Sequence, residues 1–123
     1  MAYRIPVLDH SFIAGADLTD NIYYVVKLDA NGDVELAGDG EMAIGVLQND
    51  PDEGEVASVM VYGITKAVAG SDFTVGSALK SDAGGKVDEA GAGDWMIGIA
   101  LEASTADEDI ITILLKTAQL DTI

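Results

Sequence analysis

The sequence repeats itself, and that repetition constrains the fold more than any other feature. Leu28-Asp-Ala-Asn-Gly32-Asp-Val34 returns as Ser81-Asp-Ala-Gly-Gly85-Lys-Val87, and Gly40-Glu-Met-Ala-Ile44-Gly45-Val46 returns as Gly93-Asp-Trp-Met-Ile97-Gly98-Ile99, both displaced by 53 residues. The same displacement aligns Glu55-Val-Ala-Ser-Val-Met-Val61 with Glu108-Asp-Ile-Ile-Thr-Ile-Leu114. Upstream, Ala14-Gly15-Ala-Asp17 meets Ala69-Gly70-Ser-Asp72 at a displacement of 55. What recurs is turn glycines and apolar positions rather than reactive groups, which points to a duplicated scaffold. At about 50 residues each unit is near the lower size limit for an independent core, so the two are expected to share one.

The local pattern is short strand, turn, short strand. Tyr23–Leu28 is rich in strand formers. Asn31-Gly32 between apolar runs predicts a hairpin with a type I′ turn, whose two central residues both take positive φ. Val34–Leu36, Ala43–Leu47 and Val56–Tyr62 follow, and Gly63–Val68 reads as a joining strand. The second unit offers Ala78–Lys80, Gly84-Gly85, Trp95–Leu101 and Ile110–Leu115. No segment combines caps with a 3.6-residue period. The expected fold is all-β: a small barrel or sandwich of two sequence-related halves (14–66 and 67–116) forming a single β domain over 14–116. An extended N-terminal arm (1–13) precedes it and a tail (117–123) follows.

Four glycines are expected to be structural: Gly32 and Gly85 in the hairpin turns, and Gly45 and Gly98 at equivalent places inside apolar strands. Glycine within a strand marks a bulge, a bend or close backbone approach.

Charge limits the partners. Six basic residues against 22 acidic give a net charge of −16. Nucleic acid is held largely by Lys and Arg on phosphates, so neither nucleic acid nor an anionic membrane is an expected partner. Nearly half of the residues are apolar (49%), which sets the chain apart from acidic disordered tails. There is no cysteine and hence no disulfide or thiolate chemistry. Met1–Pro6 lacks an apolar signal core and no run reaches the ~18 residues of a membrane helix; synthesis in a cytosol is the simplest expectation.

Candidate chemistry is thin. His10 is the sole histidine and has no neighbours of the kind that orient a catalytic or zinc-bound imidazole. Asp29-Ala-Asn31-Gly-Asp33 has the acids of a calcium loop, but its glycine falls fourth rather than sixth and Gly40 occupies the twelfth place, which needs a bidentate acid. A hairpin turn explains it better. Neither a metal site nor a cofactor is expected, although weak divalent binding between subunits would relieve crowded carboxylates. Ser71-Asp72 and Ser81-Asp82 lack a nucleophile elbow, and the Gly-x-Gly stretches precede strands rather than helices. Trp95 occurs in only one unit, where it either fills the core or anchors an interface. Val56–Tyr62 and Ile110–Leu115 are apolar on both faces, so one face is expected to meet the core and the other a partner subunit.

The ordered series Ala14-Gly-Ala-Asp-Leu18, Val26-Lys-Leu-Asp29 with Gly32, Ile44-Gly-Val46, Gly54-Glu55, Val61-Tyr-Gly-Ile64, Ala69-Gly70, Ser81-Asp82-Ala-Gly-Gly85, Ile97-Gly-Ile-Ala-Leu-Glu102-Ala103 and Ile111-Thr-Ile-Leu-Leu115 resembles the small capsid decoration, or cement, proteins of tailed bacteriophages. The resemblance covers about residues 3–116. It implies a β-rich virion protein that binds the outside of an icosahedral head, commonly as a homotrimer, and reinforces contacts between major capsid proteins. It carries no catalytic residues. The turn Asp50-Pro-Asp-Glu-Gly-Glu55 departs from the family in its length and acidity.

On this reading Tyr3, Ile5 and Leu8 in the arm, with Trp95, are the expected capsid contacts, and removal of residues 1–12 is expected to leave the β domain folded. The main rival is a carbohydrate- or surface-binding β module of a tail or secreted protein. It would need clustered exposed aromatics, whereas only Tyr23-Tyr24 are adjacent among the seven aromatics. An enzyme is the third class. Paired acids are plentiful and a glycosidase needs two, but so short a chain offers no cleft-forming insertion.

Overall fold

A computed structural model describes residues 5–120 of the chain. Among these residues nine strands run in chain order: β1 (Ile5–Ile13), β2 (Val25–Leu28), β3 (Val34–Leu36), β4 (Gly45–Leu47), β5 (Val56–Val68), β6 (Ala78–Ser81), β7 (Val87–Glu89), β8 (Trp95–Ala100) and β9 (Ile110–Gln119). No helix occurs among the described residues. The strands form one antiparallel sheet in the order β3-β2-β4-β5-β9-β8-β6-β7, with β1 on the other edge of β5. The sheet curls into a half-barrel, so the molecule is all-β as expected.

Register defines the repeat more closely than sequence does. Ile13 faces Val56 and Phe12 faces Ala57, while Val68 faces Ile110 and Ala67 faces Ile111. Thus β1 in the first unit plays the part that the end of β5 plays in the second. The displacement is 55 in this opening strand and 53 through the hairpins and inner strands. In the closing strand it is 54, since Val46 pairs with Met60 where Ile99 pairs with Leu114. The 53-residue alignment of Glu55–Val61 with Glu108–Leu114 is therefore corrected by one residue. A one-residue slip would turn buried Ala57 and Val59 onto the face of exposed Ile110 and Leu114.

Three further expectations change. The joining strand Gly63–Val68 is continuous with Val56–Tyr62 in the 13-residue β5. The first inner strand begins at Val25 rather than Tyr23, because Tyr23 takes a left-handed φ of 69°. The hairpin turn is not type I′. Only its last residue has positive φ (Gly32 at 81°, Gly85 at 85°), while the Gly32 amide donates to the Asp29 carbonyl and the Asp29 amide to the Asp33 carbonyl. This is a three-residue loop, a type I turn closed by a left-handed glycine. Asp29 Oδ1 accepts from the amides of Asn31 and Asp33, and Asp82 Oδ1 accepts from those of Gly84 and Lys86. The acids that resemble a calcium loop are bonded to their own backbone.

Two apolar clusters hold the sheet. Ala14, Leu18, Val26, Val34, Leu47, Ala57 and Val59 form the smaller, flanked by Phe12, Leu36, Ile44 and Val61. The larger contains the second unit's counterparts of these residues, among them Ala69, Phe73, Leu79, Val87, Ala100, Ile111 and Ile113. It also takes in Val25, Ala37, Ala43, Val46 and Met60 of the first unit. Neighbours Val59 and Met60 point to opposite faces of β5 and lie in different clusters. The larger core is thus shared by both halves. Phe12 packs on the smaller one, so removing residues 1–12 would strip a strand and a core side chain rather than a loose arm.

Candidate interaction surface

Outward-facing side chains, not a cleft, are the notable surface feature. No pocket opens among the described residues, and no group of three or more His, Cys, Asp or Glu is placed to hold a metal. His10 lies exposed on β1; its Nδ1 is 2.9 Å from the Ser11 carbonyl and its ring tilts against Phe12 at 4.7 Å between centroids. Nothing in this arrangement aims the imidazole at a substrate.

Along β1 every residue except Phe12 is exposed. Ile5, Val7, Leu8 and Ile13 are each more than two-fifths accessible, with Val7 at 75%. The adjoining stretch of β5 adds Val56 and Tyr62, also exposed. Soluble proteins scatter single apolar residues over their surfaces, but here Ile5, Val7 and Leu8 gather beside Tyr62, with Ile13 and Val56 facing each other at the far end of the pairing, and such a grouping is what interaction sites present. The strand is also irregular, with register shifts on both sides of Leu8. Pro6 lies opposite Gly63, whose φ is 124° and where a Cβ would lie 2.5 Å from the Ile5 carbonyl oxygen and 2.8 Å from the Val7 amide. Glycine is what lets β1 pass this close.

Of the residues expected to bind a partner, Ile5 and Leu8 share this surface, and Tyr3 lies outside the described residues. Trp95 does not join them: it opens β8, two strands away across β5 and β9. It is half-buried and its amide donates to the carbonyl of Gly40 at 3.0 Å, so it sits where the two units meet. Val7 and Tyr62 were not singled out in the sequence. Val7 follows the proline that marked the segment as an irregular arm, and Tyr62 falls in a strand whose apolar residues occupy both faces. Only the register of β1 on β5 brings them together.

Electrostatics set the surroundings. Lys27 pairs with Glu41 at 2.8 Å, Lys80 with Asp39 at 2.6 Å, and Lys86 with Glu108 at 2.6 Å and Asp107 at 3.1 Å. The carboxylates hold these ammonium groups above the usual lysine range; Glu108 contributes most at Lys86. Lys66 lies 5.6 Å from the centre of the Tyr23 ring. Lys27, Lys66, Lys80 and Lys86 are thereby engaged within the fold, and with 22 acidic residues against six basic ones the surface is strongly acidic.

A family model described as phage cement protein matches residues 7–117. Among solved structures, the head fiber gp8.5 N base in bacteriophage phi29 is similar. It is 21% identical, the match covers 93% of this chain and 99% of that one, and the TM-score is 0.71. At this identity the likeness speaks for the fold. No curated protein matches the sequence.

Proposed function

Because the chain belongs to the phage cement protein family, which makes it a structural protein of a phage virion, we propose that it decorates the outer surface of the capsid and stabilises contacts between major capsid proteins. The observation that carries this reading is β1, a nine-residue strand exposed almost throughout, with Ile5, Val7 and Leu8 turned outward beside Tyr62. In this reading β1 is the capsid-binding element, Tyr3 is a further capsid contact, and the acidic remainder faces solvent. The partner is the major capsid protein and the assembled form a homotrimer.

The gain would be additive. A standard interface buries ~1,600 Å², but its strength depends on a few desolvated anchors. Many copies on a shell multiply a modest contact into resistance to internal pressure. Nucleic acid does not fit as a partner, because phosphate binding draws on Lys and Arg, and here six basic residues stand against 22 acidic ones. The family is one of structural proteins, not a known family of enzymes.

The test uses heads lacking the protein and full-length variants. Val7→Asp with Leu8→Asp alters only exposed positions, so the variant should melt as the parent does while head occupancy, scored by electron microscopy, falls at least tenfold. Undiminished occupancy would overturn the assignment of β1.

A further inference from the structure

The molecule contains one interface between its two units, and both halves of that same interface recur, largely uncovered, on its surface. In the first unit Val25, Ala37, Ala43, Val46 and Met60 are all buried in the core shared with the second unit. Their register counterparts in the second unit are Ala78, Ala90, Met96, Ile99 and Leu114. Leu114 is 37% exposed and Ala78, Ala90 and Ile99 are only partly buried, while Met96 of this set is covered within the chain.

What lies on the first unit is a defined set of second-unit groups. The carbonyl of Gly85 accepts from the Val25 amide at 2.7 Å, and Gly85 is seated so closely that a Cβ would lie 3.1–3.3 Å from Val25, Leu36 and Tyr24. Ser81 donates its hydroxyl to the Ala37 carbonyl and accepts at its own carbonyl from the Gly40 amide. Trp95 donates to Gly40. The first-unit counterparts of these docking groups stand free. Gly32 has nothing within 4 Å of a Cβ position, Leu28 is 45% exposed, and Met42, the counterpart of Trp95, is 61% exposed.

We propose that a second copy of this chain completes the pattern head to tail: the 29–33 turn with Leu28 and Met42 of one molecule seats on the Ala78, Ile99 and Leu114 face of the next. The two surfaces differ, so the contact is heterologous rather than two-fold, and it closes into a ring when the rotation between copies divides a full turn. The trimer proposed above would be such a ring; the inference rests on that self-association and not on capsid binding. The seat offered is more polar than the internal one, since Ser77 and Glu89 replace Tyr24 and Leu36. Just past the end of β9, the Leu120 carbonyl also accepts from the Gly93 amide, where Gly40 uses Ser81. Side-chain burial must therefore carry the contact, which makes it weaker than the internal one and dependent on concentration.

The experiment is sedimentation of full-length protein over a concentration series. The parent should assemble, while Met42→Glu and Leu114→Glu, each spoiling one surface, should stay monomeric with parental melting temperatures. An equimolar mixture of the two variants should form dimers and nothing larger, because each supplies the surface the other lacks. Leu28→Glu with Ala78→Glu tests the same contact if either variant fails to fold. A parent that remains monomeric, single variants that assemble like the parent, or a mixture that stays monomeric would each overturn the proposal. Occupancy on heads, scored separately, distinguishes this from failure of the capsid reading: a monomer that still binds heads sinks the present inference together with the trimer and leaves the capsid contact standing.

Discussion

At the scale of single residues, the duplication is conserved as backbone conformation even where side-chain identity has changed. Four pairs of positions are left-handed in both units: Tyr23 and Gly76, Gly32 and Gly85, Gly40 and Gly93, Gly54 and Glu108. Glycine fills six of the eight because it bears no Cβ penalty there. At the exceptions the side chain is engaged, Tyr23 against the core with Lys66 over its ring, and Glu108 on Lys86. The glycine pairs were legible in the sequence because the letter repeats. Tyr23 and Glu108 were not, because only φ repeats. Gly45 and Gly98 matter for another reason. A Cβ at Gly45 would fall closer than 3.0 Å to the Met60 carbonyl oxygen, and one at Gly98 would crowd that of Leu114 likewise. Backbone cannot yield as a side-chain tip can. In denaturant melts, alanine should therefore cost about 1 kcal/mol at Gly32, where only φ opposes it. The cost should rise at Gly85, which also meets Val25 and Leu36, and be largest at Gly45 and Gly98, on the order of 3 kcal/mol or more with overpacking. Equal costs at Gly32 and Gly45 would contradict this account.

Among the elements, β1 is where sequence and structure diverge most instructively. Pro6 and the polar His10-Ser11 pair hide any two-residue period, because both faces of this strand are wet and neither burial nor amphipathicity selects its side chains. Strand identity here comes from long-range pairing with β5, information that no local window contains. The inner strands were readable because one face is buried and alternation follows. The missed turn type has a similar cause: Asn-Gly permits several hairpin loops, and Asp29 chooses among them by accepting two amides. The pairing of β1 depends on Gly63. We expect Gly63→Val to push β1 off β5, so that amides of residues 5–13 lose protection from hydrogen exchange while those of β9 retain it. Head occupancy should fall with β1 protection. Protection of β1 at the parental level would show that the close approach is dispensable. This variant reports on the strand, whereas Val7→Asp with Leu8→Asp reports on the side chains it displays.

For the molecule as a whole, charge decides how folding, self-association and attachment respond to conditions. Among the described residues Asp39, Glu41, Asp94, Asp107 and Glu108 pair with lysine, whereas the chain carries 22 acidic residues against six basic ones. A net charge of −16 on so small a body repels itself, and exposed ion pairs of this kind contribute little in return. Raising ionic strength from about 0.01 M to 0.15 M shortens the screening length from ~30 Å to ~8 Å. The repulsion should then fade. The melting temperature should rise by about 4 °C if ~1 kcal/mol is relieved, and head-to-tail assembly should strengthen, since it brings like charges together. Attachment to heads should follow assembly, because the proposed contact is apolar β1 and the carboxylates face solvent; it would move the other way only against a basic seat on the shell, because screening weakens attraction between unlike charges. The three signs separate the interactions. Stability and assembly that rise while occupancy falls would locate the acidic excess at the capsid contact. Occupancy that rises together with assembly would instead make apolar β1 the whole of the attachment and leave the carboxylates facing solvent. A melting temperature that falls with salt would contradict the view that the charge is unbalanced at all, since only net attraction within the fold is weakened by screening.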